Sequence, residues 1–134
     1  MALLRTDKLS VASDGDVVAV RQRVRAMAME SGFSLVDQTK IVTAASELAR
    51  NTVVHGGGGT VEIDLLMEGP RRGVRLTFRD HGPGIADIET AMRDGFTTGG
   101  GLGLGLGGAR RLSNEFEIQS APGDGTVVRI TRWR

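Results

Sequence analysis

The chain has 134 residues, of which 40% are hydrophobic and 25% charged, and its net charge of +1 gives no reason to expect a nucleic-acid partner. This length suits one domain over residues 1–134, and the lack of cysteine excludes disulfides, thiolate catalysis and cysteine metal sites. The apolar stretch in the N-terminal MALLRTDK is too short for a signal peptide, and no later stretch approaches the roughly 18 apolar residues of a spanning helix. We therefore expect a cytoplasmic protein without a membrane partner.

The first third of the chain predicts a short strand and two helices. Residues 8–12 (KLSVA) alternate as a strand does. A helix follows, with Asp14 as its N-cap, Gly32 at its end and apolar residues at helical spacing: Val17, Val18, Val20, Val24, Met27 and Ala28. The second helix is the longest predicted element, with Ser34 as its N-cap and glycines 56–59 at its end. Its apolar positions are Val36, Ile41, Ala45, Leu48 and Ala49.

The rest of the chain predicts two strand pairs with short helices between them. Residues 60–69 and 73–80 are strands joined by a turn over 69–73, followed by a loop (80–87) and a short helix (87–93). Another helix begins near Gly105 and continues through 109–114, and strands at 115–121 and 126–133 flank a turn. This order favours an α/β fold, an α+β two-layer sandwich with a mixed, mainly antiparallel sheet and helices on one face.

The segment SELARN of the long helix contains an acid and an amide four residues apart. Glu47 and Asn51 therefore share a helix face, which we expect to point away from the helix's own core stripe. One interpretation is an ordinary solvated polar pair. The other is a carboxylate that accepts a proton beside an amide oxygen that ligates Mg²⁺, an ion that uses few protein ligands.

The segment DHGPGI directly follows a predicted strand. The carboxylate of Asp80 can only accept hydrogen bonds, so it favours the exocyclic amine of adenine over the carbonyl of guanine. Gly82 and Gly84 allow a tight turn and a close approach to a flat ring. The alternative is a plain Asp-Gly-Pro-Gly turn without a ligand.

Residues 99–108 read GGGLGLGLGG. They match the dinucleotide-binding fingerprint G-x-G-x-x-G, but this fingerprint also needs a strand before it and an acidic residue after the next strand, and both are missing here. A Walker phosphate-binding loop is excluded because the chain contains no GK[ST] sequence. The remaining interpretations are a lid that wraps a triphosphate with its N–H groups and the start of the next helix, ordered only with nucleotide, or a disordered linker. The interspersed leucines count against the linker. Thr126, which opens the last strand after a glycine turn, is by itself an ordinary strand residue.

The order ELARN, DHGPGI, GGGLGLGLG, GT resembles the ATP-binding domain of the GHKL superfamily, the Bergerat fold shared by gyrase, heat-shock chaperones and histidine kinases. The resemblance runs from about residue 10 to the C-terminus. It implies that Asn51 ligates Mg²⁺, Asp80 binds adenine N6, Thr126 touches adenine through water and Glu47 is the base. It further implies that Gly82 and Gly84 shape the base pocket, that Arg50 is a candidate phosphate contact, and that the lid binds ATP phosphates: Gly99, Gly100, Gly101, Leu102, Gly103, Leu104 and Gly105.

Three stretches, VDQTKIVTAASELARN, DHGPGI and DGFTTGGGLGLGLGGARRL, are similar to the switch serine/threonine kinases of the bacterial stressosome (RsbT type), relatives of the anti-sigma-factor serine kinases. This resemblance implies transfer of the ATP γ-phosphoryl group to a serine or threonine of a STAS-domain antagonist. A downstream phosphatase or a sigma factor would be a further partner. Two other hypotheses stay open, namely a nucleotide-gated binding module without chemistry and a dinucleotide-dependent oxidoreductase.

Overall fold

A five-stranded antiparallel sheet forms one layer of the protein. The computed structural model describes residues 1–93 and 105–134. In chain order its elements are β1 (Ala2–Val11), α1 (Asp14–Glu30), α2 (Leu35–Val54), β2 (Gly59–Glu68), β3 (Arg71–Asp80), α3 (Ile88–Ala91), α4 (Gly105–Arg111), β4 (Glu115–Ser120) and β5 (Thr126–Trp133). The strands lie in the order β1-β2-β3-β5-β4, and all four pairings in the described residues are antiparallel. The predicted α+β sandwich is confirmed. The sheet was predicted to be mixed, but no parallel pair of strands occurs among the described residues.

The two long helices begin at side-chain caps. Ser34 is the N-cap of α2, as predicted, because its hydroxyl accepts a hydrogen bond from the backbone of Asp37 at 3.1 Å. The predicted cap of α1 was wrong by one residue. Ser13 is the cap and accepts from the backbone of Asp16, while Asp14 is already helical and lies in the first turn, where an acid interacts favourably with the helix dipole.

Two strand boundaries differ from the sequence prediction by more than one residue. Strand β1 begins at Ala2, six residues before the predicted start, since its first half pairs with the end of β2. A register shift between Leu3 and Arg5 interrupts the alternation there, which hid this part of the strand. The turn between β2 and β3 contains only Gly69 and Pro70, because Arg71 already pairs with Glu68.

The core lies between the sheet and the helices α1 and α2. Alternate residues of the central strands face these helices and are buried: Val61, Ile63, Leu65, Val74, Leu76, Phe78, Val128 and Ile130. Two predicted core positions were wrong. Val18 is 48% exposed because it lies about 100° round α1 from the buried Val17, and Val36 is 62% exposed because it lies in the first turn of α2, before the buried run that begins at Ile41.

The opposite face of the sheet carries polar side chains. Asp64 is buried there, where it accepts hydrogen bonds from Arg75 Nε at 3.0 Å and Thr6 Oγ1 at 2.9 Å. Arg129 donates to Thr77 on the same face. Among the helices that the structure describes, none is long and apolar enough to cross a bilayer.

Candidate functional site

A cavity of about 420 Å³ lies between α2 and the edge of the sheet where β3 ends and β5 begins. Its volume is in the range of roughly 300 to 1,000 Å³ that is typical of small-ligand sites. Four residues predicted to bind ATP line it, namely Asn51, Asp80, Gly84 and Thr126. The other lining residues are Leu48, Thr52, His55, Phe78, Pro83, Ile85, Asp87, Thr90, Ala91, Leu106 and Val128.

The register of the sheet places Asp80 and Thr126 side by side. Gly59, Asp80, Thr126 and Ser120 are consecutive partners across β2, β3, β5 and β4. Residues of such a row project to the same face of an antiparallel sheet. Here it is the face of Phe78 and Val128, which the helices cover, so the acid and the hydroxyls lie at the edge of the core rather than on the polar face.

The Asp80 carboxylate is oriented by two backbone donors. Its Oδ1 accepts hydrogen bonds from the N–H of Gly82 at 2.9 Å and from the N–H of Thr126 at 3.2 Å. Within residues 1–93 and 105–134, Oδ2 has no hydrogen-bond donor. A carboxylate held in this way offers its second oxygen, which can only accept, to a ligand that carries a donor.

Two glycines bring the end of α2 and the loop after β3 together beside this carboxylate. A Cβ added to Gly56 would stand 2.5 Å from Cβ and Cγ of Asp80 and 2.6 Å from Oδ2. A Cβ added to Gly82 would stand 2.8 Å from Cα of Gly56. Gly82 does not line the cavity, and its small size instead allows the loop to contact the end of α2 backbone to backbone.

Gly84 lines the cavity and also depends on its size and conformation. Its φ is +79°, a region that residues with a side chain rarely adopt. A Cβ there would stand only 2.0 Å from the carbonyl oxygen of Ala121, at the start of the β4–β5 turn. The loop after β3 is therefore packed tightly on this turn, and three residues of the loop, Pro83, Gly84 and Ile85, line the cavity.

Helix α2 places its predicted residues at different depths. Asn51 is half-buried and lines the cavity. Glu47, one turn earlier, does not line it and is only 2% exposed. Glu47 is thus not the solvent-exposed residue that the interpretation as a solvated polar pair requires. Arg50 is half-buried and also does not line the cavity, and its Nε is buried without a hydrogen-bond partner in the described part of the chain.

The glycine-rich segment is described only from Gly105 onwards. Gly105 is the first residue of α4, is buried and has a φ of +57°. Leu106 follows it and lines the cavity. The predicted lid residues 99–104 lie outside the described residues. The expectation that nucleotide orders the lid concerns these same residues and stays a prediction.

The short helix α3 forms another wall of the cavity. Asp87 is its N-cap and accepts hydrogen bonds from the backbone N–H and the hydroxyl of Thr90, at 3.1 and 2.6 Å. The bond from the Thr90 hydroxyl is the main reason why the pKa of the Asp87 carboxyl lies below its ordinary value. Asp87 is therefore ionised at neutral pH, and its carboxylate caps the first turn of α3.

Sequence reasoning missed three residues that shape this site: Gly56, His55 and Ser120. Gly56 and His55 follow the last turn of α2, and a glycine run after a helix indicates its end without indicating what the glycines contact. Ser120 Oγ lies 2.7 Å from Oγ1 of Thr126. The sequence already predicted that residues 115–121 pair with residues 126–133. Matching the residues on the two sides of the turn in order would have shown that Ser120 lies opposite Thr126.

Comparison with known proteins agrees with this geometry. A family model described as a histidine kinase-like ATPase domain matches residues 11–132. The chain is 44% identical to the serine/threonine-protein kinase RsbT of Bacillus subtilis (strain 168), and the match covers 92% of each chain. It is 33% identical to an anti-sigma F factor of Thermoanaerobacter sp. (strain X514), with 84% of this chain and 82% of the relative covered.

Solved structures share the fold at lower identity. The RsbU and RsbW domains of a Mycobacterium tuberculosis protein match with a TM-score of 0.66 and 24% identity, over 97% of this chain and 33% of that one. A mycobacterial sensor histidine kinase, MprB, matches with a TM-score of 0.53 and 17% identity, over 96% of this chain and 97% of that one. These similarities show the same arrangement of sheet and helices.

Proposed function

Because the chain belongs to the family of histidine kinase-like ATPase domains, we propose that it is an ATP-dependent protein serine/threonine kinase acting on a STAS-domain antagonist. The observation that carries the proposal is that Asn51, Asp80 and Thr126 line a single cavity. The 44% identity to a relative named as a serine/threonine-protein kinase supports the type of reaction. The resemblance of the motifs to the stressosome switch kinases supports the class of protein substrate.

The adenine base would lie at the end of β3. Asp80 Oδ2 would accept a hydrogen bond from the exocyclic amine, since Oδ1 is already bound by two backbone N–H groups. Thr126, beside it in the sheet, would contact the ring through a water molecule. Phe78, Val128 and Leu106 supply apolar contacts for a flat ring.

The phosphates would extend towards α2. Asn51 offers an amide oxygen, and no cluster of three or more acidic or histidine side chains exists in the described ranges that could hold a metal alone. That donor set fits Mg²⁺ bound by one side-chain oxygen, phosphate oxygens and water. When bound, Mg²⁺ neutralises charge on the phosphates during transfer. Arg50 and residues 99–105 are further candidates to contact the phosphates.

The reaction would be an in-line transfer. The substrate's hydroxyl oxygen forms a bond to the γ-phosphorus while the bond between that phosphorus and the bridging oxygen of ADP breaks. Glu47, one helical turn before Asn51, would orient this hydroxyl and take its proton. Its burial suits this role because bulk water is kept from the carboxylate.

A second candidate function is a nucleotide-gated binding module that holds a sigma factor or another partner with little or no catalysis. The observation in its favour is the 33% identity to relatives named as anti-sigma F factors. A kinase of this kind could also bind a downstream phosphatase after its antagonist is phosphorylated. We place either activity in the cytoplasm, where ATP is available, and in one domain over residues 1–134.

Phosphoryl transfer distinguishes the two functions. The protein would be incubated with γ-labelled ATP and with STAS-domain proteins of the same organism, and the labelled residue would be mapped. We expect label on one serine or threonine. ATP binding without transfer to any of these proteins would instead favour the binding module.

The variant Glu47→Gln tests the proposed base. It should bind ATP as the wild type does and should lose transfer. The matched control is Glu68→Gln, the same change on the exposed β2–β3 hairpin, which should transfer normally. Unchanged transfer by Glu47→Gln would remove Glu47 from the mechanism.

A further inference from the structure

The hydroxyl of Ser120 has three polar neighbours. It accepts a hydrogen bond from the backbone N–H of Ile85 at 2.8 Å, lies 3.0 Å from the carbonyl oxygen of Gly125 and lies 2.7 Å from Oγ1 of Thr126. Two of these neighbours line the cavity, namely Ile85 and Thr126. Ser120 itself does not, so any effect on a ligand must pass through them.

Counting hydrogens fixes the direction of each bond. A serine hydroxyl has one hydrogen and two lone pairs. The Ile85 N–H can only donate and the Gly125 carbonyl can only accept, so Ser120 receives the first bond and gives its hydrogen to the second. The remaining lone pair of Ser120 then accepts the hydroxyl hydrogen of Thr126. Any other arrangement leaves the Gly125 carbonyl facing a lone pair at 3.0 Å.

Thr126 is thereby left with only lone pairs for the cavity. Its hydroxyl hydrogen is directed to Ser120, and its backbone N–H is directed to Asp80 Oδ1. Asp80 likewise presents only an acceptor, Oδ2. The two neighbouring groups therefore form a surface that accepts hydrogen bonds and donates none.

We propose that Ser120 is a positioning residue that fixes the Thr126 hydroxyl as an acceptor and so sharpens the discrimination between an amine and a carbonyl on the base. This inference rests on the proposed nucleotide site. An exocyclic amine can donate to this surface directly, and a bridging water molecule can donate one hydrogen to Thr126 Oγ1 and the other to a ring nitrogen. A carbonyl at the same ring position faces the acceptor Oδ2 of Asp80 and finds no compensating hydrogen on the Thr126 hydroxyl, so it is repelled.

The test compares the dissociation constants of ATP and inosine triphosphate, measured by titration calorimetry. Inosine triphosphate carries a carbonyl where ATP carries the amine. In Ser120→Ala the Thr126 hydroxyl can turn its hydrogen towards the cavity, so the preference for ATP should fall about three- to tenfold. Ser120→Thr keeps the hydroxyl and should restore the preference. In Ser120→Ala/Thr126→Val the preference should equal that of Thr126→Val alone.

A merely structural role gives a different result. It would weaken both nucleotides equally and leave their ratio unchanged, and that outcome would overturn the inference. Ser31→Ala is the matched control, since the buried Ser31 hydroxyl donates to the carbonyl of Met27, away from the cavity. It should lower the melting temperature without moving the ratio. Failure of the wild type to bind ATP would contradict the proposed function itself.

Discussion

Gly56 lies so close to Asp80 that a Cβ at Gly56 would stand 2.5 Å from the carboxyl carbon. The end of α2 is therefore in direct contact with the acid at the end of β3. Asn51 lies on the last turns of the same helix, so this contact also sets the distance between the two polar ends of the cavity.

We predict that Gly56→Ala weakens ATP binding about tenfold or more, because the added methyl group must displace the Asp80 carboxyl from its two backbone donors. Calorimetric titration measures the loss. The control is Gly15→Ala in α1, where the nearest atom to the new Cβ is 3.7 Å away, and it should bind ATP normally. Wild-type affinity in Gly56→Ala would show that the carboxyl is not the group that binds the base.

We predict that Asp80→Asn reverses the base preference. The amide oxygen should stay on the N–H groups of Gly82 and Thr126, which puts the amide NH₂ where Oδ2 was. ATP affinity should then fall roughly ten- to a hundredfold, the value of a charge-assisted hydrogen bond, while inosine triphosphate should bind more tightly. Asp124→Asn, in the exposed β4–β5 turn, is the control. Equal ATP affinity of Asp80→Asn and wild type would argue against the site.

We predict that Asn51 couples ATP binding to Mg²⁺. The wild type should bind ATP more tightly with Mg²⁺ than with a chelator, and Asn51→Ala should lose most of this difference because the side-chain oxygen ligand is gone. Asn114→Ala is the control, since the Asn114 side chain accepts from the backbone of Trp133. An undiminished Mg²⁺ effect in Asn51→Ala would place the ion elsewhere.

We predict an acid-sensitive contribution to stability from Asp37 and Arg132. Arg132 Nη2 donates to Asp37 Oδ1 at 2.8 Å, and this bond is the main reason why the pKa of Asp37 is below its ordinary value. A lowered folded pKa stabilises the fold above the unfolded pKa, and this stabilisation is lost as the pH falls through the folded pKa. Denaturant unfolding between about pH 7 and pH 3 measures it.

The variant Asp37→Asn isolates this pair. It should be less stable than the wild type by about 1 kcal/mol at pH 7, and the difference should shrink towards pH 3. The pKa of Asp7 is also lowered, mainly by a hydrogen bond from Arg5, so both proteins should still lose stability in acid. A difference that does not change with pH would show that Asp37 acts through packing rather than through its charge.

Much of this fold follows from local sequence patterns. The element order, the Ser34 cap and the ends of α1 and α2 depend on neighbouring residues, so the sequence was enough to predict them. The residues at the ends of β3 and β5 were also identified, since Asp80 and Thr126 begin or end recognisable strands. Their arrangement in one row required only that the strands pair in register.

Other features depend on contacts between distant segments. The burial of Glu47 is a tertiary property, which the helix's own periodicity cannot show. Gly56 and Gly82 meet across 26 positions of the chain, and neither one's neighbours in sequence reveal the contact. The first half of β1 was missed because a register shift interrupts its alternation.

The two donors on Asp80 are backbone N–H groups of the protein's own fold, so the fold itself aims the carboxylate. Ordering of this side chain is thus completed during folding and does not oppose association. If the proposed site binds the base, its selectivity would be a permanent property of the sheet edge, present in every partner-bound or partner-free state in which β3 and β5 stay paired.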